Sequence, residues 1–260
     1  MTNLLKNKEV LIDRILNSTG IDIRLTENCD NYFTKEFERI FEKIDYLLYK
    51  DRLLYFSYFL SQLEKIKAHN QKNFNNYLSK FSLDGVNLRG EKFEILTYAR
   101  LIDKAIYFSK PKHNPDFQFE INNDFVFIEC GSRQTDKKGY FTESIEQAIT
   151  NKQVKGNEQN YANKNTALHI EISKCVFNSY GGEDFLADET LYNILEKTIH
   201  LVDFGAVVLI NNFYAQEDEI VYGHPFIKYK NNCNNNLRDL HKKMFDLQNI
   251  RVTRILKEHL

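Results

Sequence analysis

Two carboxylates, Asp116 and Glu129, stand at the open end of a segment that reads as a β-hairpin. Phe117 to Ile121 and Phe125 to Cys130 both have an alternating pattern, and Asn122-Asn123 separates them. Asn tolerates positive φ, which the favoured two-residue hairpin turns require. With those two residues as the loop, facing residues have numbers that sum to 245: Phe117 meets Ile128, Phe119 meets Val126 and Ile121 meets Asp124. That face is almost wholly apolar and reads as core. The other face sets Glu120 against Phe125, Gln118 against Phe127 and Asp116 against Glu129. Directly opposed residues have Cβ atoms roughly 4.5–5.5 Å apart, so these two carboxylates repel unless something compensates. A divalent cation bound by both is the natural candidate. Two readings compete with it. Asp116 caps the preceding turn while Glu129 reaches solvent, or a three-residue loop slips the register by one.

A second chemical group lies downstream. Ile145, Ala148, Ile149 and Lys152 form one stripe at i, i+3, i+4 and i+7, which puts Lys152 on the helix face turned toward a sheet. A lysine there either snorkels its tip to an edge or meets a carboxylate. Cys130 alternates away from Glu129, into the presumed core, and reads as packing rather than as a nucleophile. His169 shares a strand face with Glu171, and a satisfied structural histidine is the favoured reading. No P-loop, strand-borne GxGxxG, HExxH or GxSxG is present, and Gly181-Gly182 reads as a turn.

The elements that must position these groups follow from periodicity. Up to about residue 82 the pattern is helical, with Leu53, Phe56, Leu60, Leu63 and Ile66 at three- and four-residue spacing. Its aromatic residues, Tyr46, Tyr49, Tyr55, Phe56, Tyr58 and Phe59, read as core rather than as a base-stacking surface. A helix is expected over about 88–107, closed by Lys110-Pro111 and Asn114-Pro115. After the hairpin come a helix over about 143–157, a strand at 166–173, a helix over about 189–202 and a buried strand at 206–210. The order implies an α/β fold, a mixed sheet with helices on its faces. From Lys228 onward there are eight Lys/Arg against three Asp/Glu, which reads either as a phosphate-contacting end or as a solvated helix face.

Composition narrows the classes. The 260 residues are 42% hydrophobic and 27% charged, enough to build a sizeable core. A net charge of −1 supplies no global field toward nucleic acid, so any such contact must be local. The cysteines at 29, 130, 175 and 233 form no CxxC pair and no metal-finger spacing, which suits a reducing cytoplasm. The first residues lack the pattern of a secretory signal, and the greasiest run, Leu53 to Leu60, is too short to span a bilayer. A soluble protein is expected, with no membrane partner.

Pro115-Asp116, the hairpin and then Ile128-Glu129-Cys130 resemble the PD-(D/E)XK nuclease superfamily, whose fold is restriction-endonuclease-like. Arg89-Gly90-Glu91-Lys92-Phe93-Glu94-Ile95-Leu96 resembles the first helix of such nucleases, with Glu94 at its acidic position. The resemblance covers roughly residues 86–215. It implies a nuclease-like core there, a helical region over 1–85 and a basic segment over 216–260 packing on the core. It further implies Mg²⁺ or Mn²⁺ held by Asp116, Glu129 and the Cys130 carbonyl, with Glu94 supporting a second metal or ordering water. The family carries a lysine two residues after the glutamate, where this sequence has Gly131. Some members bring that lysine from the next helix, which implies Lys152 as the group that orients the attacking water. Lys155 is the second candidate, and Gln147 and Gln134 are polar alternates. The expected activity is phosphodiester hydrolysis in nucleic acid, DNA ahead of RNA, of a restriction or defence type, and two-strand cutting would suit a homodimer. The rival, favoured by Gly131, is an inactive protein of the same fold that binds nucleic acid or a protein partner. A third reading is an α/β binding module whose hairpin match is accidental.

Overall fold

The computed structural model describes residues 2–25, 30–41, 46–81, 88–133, 141–173, 188–211, 214–216, 219–221 and 225–245. The chain divides into two compact units, one of Met1–Ile102 with Ala215–Ile220 and Thr253–Leu260, the other of Asp103–Tyr214 with Val221–Val252. The sequence placed the first boundary near 85/86. The helix that follows instead groups with the helices before it.

The first unit is built on α1 (Thr2–Thr19), α2 (Tyr32–Phe41), α3 (Tyr46–His69), α4 (Gln71–Phe81) and α5 (Leu88–Asp103). Long α3 packs against α1, α2 and α4 because its stripe of Phe56, Phe59, Leu60, Leu63 and Ile66 is fully buried. Phe59 and Phe81 stack edge-on, and Tyr32 meets both rings. The aromatic residues described here are thus mostly core. The side chains of Tyr46 and Tyr49 lie outside the described residues.

The second unit holds a five-stranded sheet in the order β1-β2-β3-β4-β7, from β1 (Phe117–Ile121), β2 (Asp124–Ser132), β3 (Thr166–Glu171), β4 (Ala206–Ile210) and β7 (Phe226–Tyr229). Strands β5 (Tyr214–Gln216) and β6 (Glu219–Val221) pair separately. The hairpin register is Phe117 with Ile128 through Ile121 with Asp124, as the Asn-Asn loop demands. Asn122 and Asn123 have φ of 53° and 59°, the two left-handed residues of a tight hairpin turn. Strands β2, β3 and β4 are parallel, and β7 closes the edge antiparallel to β4. The crossovers are α6 (Phe141–Glu158) and α7 (Asp188–Ile199). Ile145 and Ile149 of α6, with Leu191 and Leu195 of α7, bury the sheet face that carries Leu168, Ile170, Val207 and Leu209. Helix α5 stops at Asp103 rather than near Tyr107. The chain turns at Lys104 and Ala105, where φ of Ala105 is 49°, and Ser109 then pairs with Gln118 along the edge of β1.

The last described helix, α8 (Asn235–Phe245), packs on β2. Its basic residues are engaged. Arg238 lies 4.2 Å from the centre of the Tyr229 ring, Lys242 pairs with Asp239, and Lys243 donates to the Ala105 carbonyl. Lys228 on β7 pairs with Glu196. The basic residues beyond 245 lie outside the described residues.

Beneath α8, His169 and His241 are both buried, with their Nε2 atoms 3.0 Å apart, and His241 Nδ1 is 3.0 Å from the Tyr229 hydroxyl. Two ring nitrogens at that distance share one proton, so a second is excluded. Burial pushes His241 down to about 3 from its usual 6.5. Between those values the unfolded chain takes up a proton that the folded one refuses. Stability is therefore full above pH ~6.5 and falls as the pH drops, by about 2 kcal/mol between pH 7 and 5. Urea melts at pH 7, 6 and 5 check this. A His241→Phe variant should be less stable throughout but show a flatter profile.

Candidate active site

Strand chemistry explains why one point on β2 is unusual. Phe127 donates its backbone N–H to Asn165, toward β3, so the peptide groups of Cys130, three residues on, point the other way. Strand β1 begins at Phe117, opposite Ile128, and leaves Cys130 without a ladder partner on that side. The carboxylate of Asp116 takes its place, and Oδ2 accepts the Cys130 N–H at 2.7 Å. The Cys130 carbonyl accepts from Lys152 Nζ at 2.6 Å.

Glu129, one residue back, turns its side chain under α6. It is 1% exposed. Its Oε1 accepts from Lys152 Nζ at 2.6 Å and from the Tyr161 hydroxyl at 3.3 Å, while Oε2 is buried with no hydrogen-bond partner. Burial raises the Glu129 carboxyl above its ordinary range and the nearby Asp116 charge raises it further. The Lys152 ammonium, and more weakly Lys155, pull it back. The repulsion read from the register is thus present, but the chain carries its own compensating charge. The sequence offered a divalent cation as the natural compensating charge; in the structure the Lys152 ammonium supplies one.

Tyr161 is the participant that spacing did not mark. Burial, and then the Glu129 charge, push its phenol well up, so it remains a proton donor. The chain doubles back at the end of α6 to place it, with Tyr161 and Ala162 both donating to the Gly156 carbonyl. A Cβ on Gly156 would stand 2.7 Å from that of Ala162. A glycine inside a helical pattern was the one signal that something packs closely there.

Asp116, Glu129, Cys130 and Lys152 are therefore brought together. Of the two candidate lysines, Lys152 reaches the carboxylate, and Lys155 is exposed. Gln147 accepts from Arg133 on the helix surface, and Gln134 lies outside the described residues. Glu94 belongs to the first unit, where it accepts the Tyr77 hydroxyl at 2.7 Å. His169 is in register with Cys130 and so shares its face, opposite to that of Glu129, and Glu171 accepts from Ser132 and the Ser173 amide. The Cys130 thiol is buried.

Two carboxylates and a carbonyl are hard oxygen donors, the set Mg²⁺ takes when water completes its shell. The orphaned Glu129 Oε2 is the acceptor such an ion would satisfy. Among the described residues no group of three His, Cys, Asp or Glu is placed to hold a metal, so water or substrate oxygen would have to complete the coordination. Among them, too, no helix is long and apolar enough to cross a membrane.

Set against protein-family models, curated proteins and solved structures, the chain matches none. The functional reading rests on the site.

Proposed function

We propose that the second unit is a metal-dependent nuclease with a restriction-endonuclease-like core, hydrolysing phosphodiester bonds in nucleic acid, DNA ahead of RNA. One observation carries the reading. Asp116 and Lys152 meet the two peptide groups of Cys130 beside a buried Glu129 that has an unused oxygen. The five-stranded mixed sheet with helices on its faces supports the reading at the level of the α/β class.

In this reading Asp116, Glu129 and the Cys130 carbonyl would hold a divalent cation, whose contribution would be Lewis-acid polarisation of the scissile phosphate. Asp116 keeps the Cys130 peptide in place through its bond to the N–H. Tyr161 fixes the rotamer of Glu129 and, with α6 above it, keeps bulk water away from the carboxylate. Lys152 supplies a positive donor at the partly exposed rim of the site, where a phosphate oxygen or the attacking water would meet it. Glu94, whose carboxylate accepts from Tyr77 within the first unit, is given no step in this mechanism. The case for an inactive protein of the same fold drew on Gly131. An ammonium delivered from α6 to the Glu129 carboxylate weakens that case.

The test is cleavage. Supercoiled plasmid, linear duplex, single-stranded DNA and RNA are incubated with the protein in Mg²⁺ or Mn²⁺. At least one substrate should be cut, and both a chelator and Glu129→Gln should abolish cutting. Cleavage that survives both would remove the assignment. Folded protein that cuts nothing would favour the inactive binding protein.

A further inference from the structure

A glycine inside a central strand needs a reason, because it forgoes side-chain packing and loses more chain entropy than any other residue. Gly131 is buried in β2, in register with Ile170 of β3. Its φ is not positive, so the reason is not conformational freedom. The reason is space. A Cβ at position 131 would stand 3.1 Å from Cε of Lys152 and 3.8 Å from its Cγ. The Lys152 side chain has little room to yield. Its Nζ is held by two 2.6 Å bonds, to Glu129 and to the Cys130 carbonyl. Its backbone is fixed by α6, whose Ile149 and Gln153 are buried on either side.

We propose that Gly131 is a positioning residue. Its missing side chain is the slot through which the Lys152 stem carries the ammonium to Glu129 and Cys130. The value of that ammonium rests on the nuclease reading, but the slot can be tested without catalysis. Residues 131 and 152 then compete for one volume. A lysine can serve the site from the strand or from the helix, and a side chain at 131 excludes the one from 152.

The experiment is a double-mutant cycle read by thermal melting in chelator, on wild type, Gly131→Val, Lys152→Ala and the double variant. Valine suits a strand, so once the stem is gone it should be accepted. Gly131→Val should lower Tm by about 5 °C or more in the wild-type background, and by less than half as much in the Lys152→Ala background. A ¹H–¹⁵N spectrum tuned to lysine ammonium groups gives a readout that packing alone would not move. The Lys152 signal, recognised by its loss in Lys152→Ala and protected by two hydrogen bonds, should vanish in Gly131→Val. If the valine variant fails to fold, Gly131→Ala makes the same comparison with a smaller shift. Gly131→Lys combined with Lys152→Ala should regain cleavage that Lys152→Ala loses. Equal Tm losses in both backgrounds, with the ammonium signal intact, would overturn the slot whatever the catalytic result. A non-additive cycle in a protein that cuts nothing would leave the slot standing and remove the nuclease reading.

Discussion

Lys152→Met should lower the melting temperature by about 5–10 °C at pH 7 and, on the nuclease reading, slow cleavage by about 10²-fold or more. The stability loss comes from Glu129, which is 1% exposed and keeps only the Tyr161 hydroxyl once the ammonium is gone. Breaking a buried ion pair from one side costs about 3–5 kcal/mol if the remaining charge persists. Protonation relieves part of that, since burial already favours the neutral Glu129 carboxyl. The sign of the pH dependence follows. Without Lys152 the folded-state pKa of Glu129 rises further above its ordinary 4.5, so the folded variant binds the proton more tightly than the unfolded one. The gap between variant and wild type should therefore be small near pH 4.5 and widen as the pH rises. Lys155→Met should cost little in either measurement, because Lys155 is exposed and acts on Glu129 only at a distance. Melts from pH 5 to 8 and a cleavage time course check both variants. A silent Lys152→Met would show that the ammonium does not serve Glu129.

Asp116→Asn should uncouple the protein from divalent ions. The substitution removes a negative charge beside Glu129, which stabilises, and weakens the acceptor for the Cys130 N–H, which destabilises. With Lys152 already compensating Glu129, these nearly cancel, and Tm in chelator should move by no more than a few degrees. The response to metal should differ sharply. At a hundred times its dissociation constant, a bound ion adds about 2.7 kcal/mol. Wild type should therefore gain about 5–10 °C in saturating Mg²⁺ or Mn²⁺, and the Asn variant much less. Equal gains in both proteins would mean that Asp116 and Glu129 do not share a cation.

The hairpin was legible because two independent signals agreed. Asn-Asn specified the turn, and the alternation on both sides specified which face was core, so the register from Phe117 to Asp124 followed. Lys152 was legible for a related reason, since a lysine on an apolar helical stripe needs a partner. What stayed hidden depended on chain direction in three dimensions. Tyr161 reaches Glu129 only because the chain doubles back past Gly156, and no local periodicity encodes that return. Gly131 looked like a lost lysine in one dimension. Its use as room for Lys152 requires knowing that α6 crosses over that point of β2. The end of α5 was missed because the chain turns at Ala105, with φ of 49°, inside a helical pattern that runs on to Tyr107.

The most direct test of the site is Mn²⁺ binding, followed by titration calorimetry on wild type, Asp116→Asn and Glu129→Gln at one pH, with melts confirming that all three are folded. If Asp116, Glu129 and the Cys130 carbonyl hold a cation, wild type binds Mn²⁺ and each variant binds it at least about tenfold more weakly, the scale of losing one stabilising partner at a metal centre. Equal affinity in all three proteins, or no binding by folded wild type, would contradict the account.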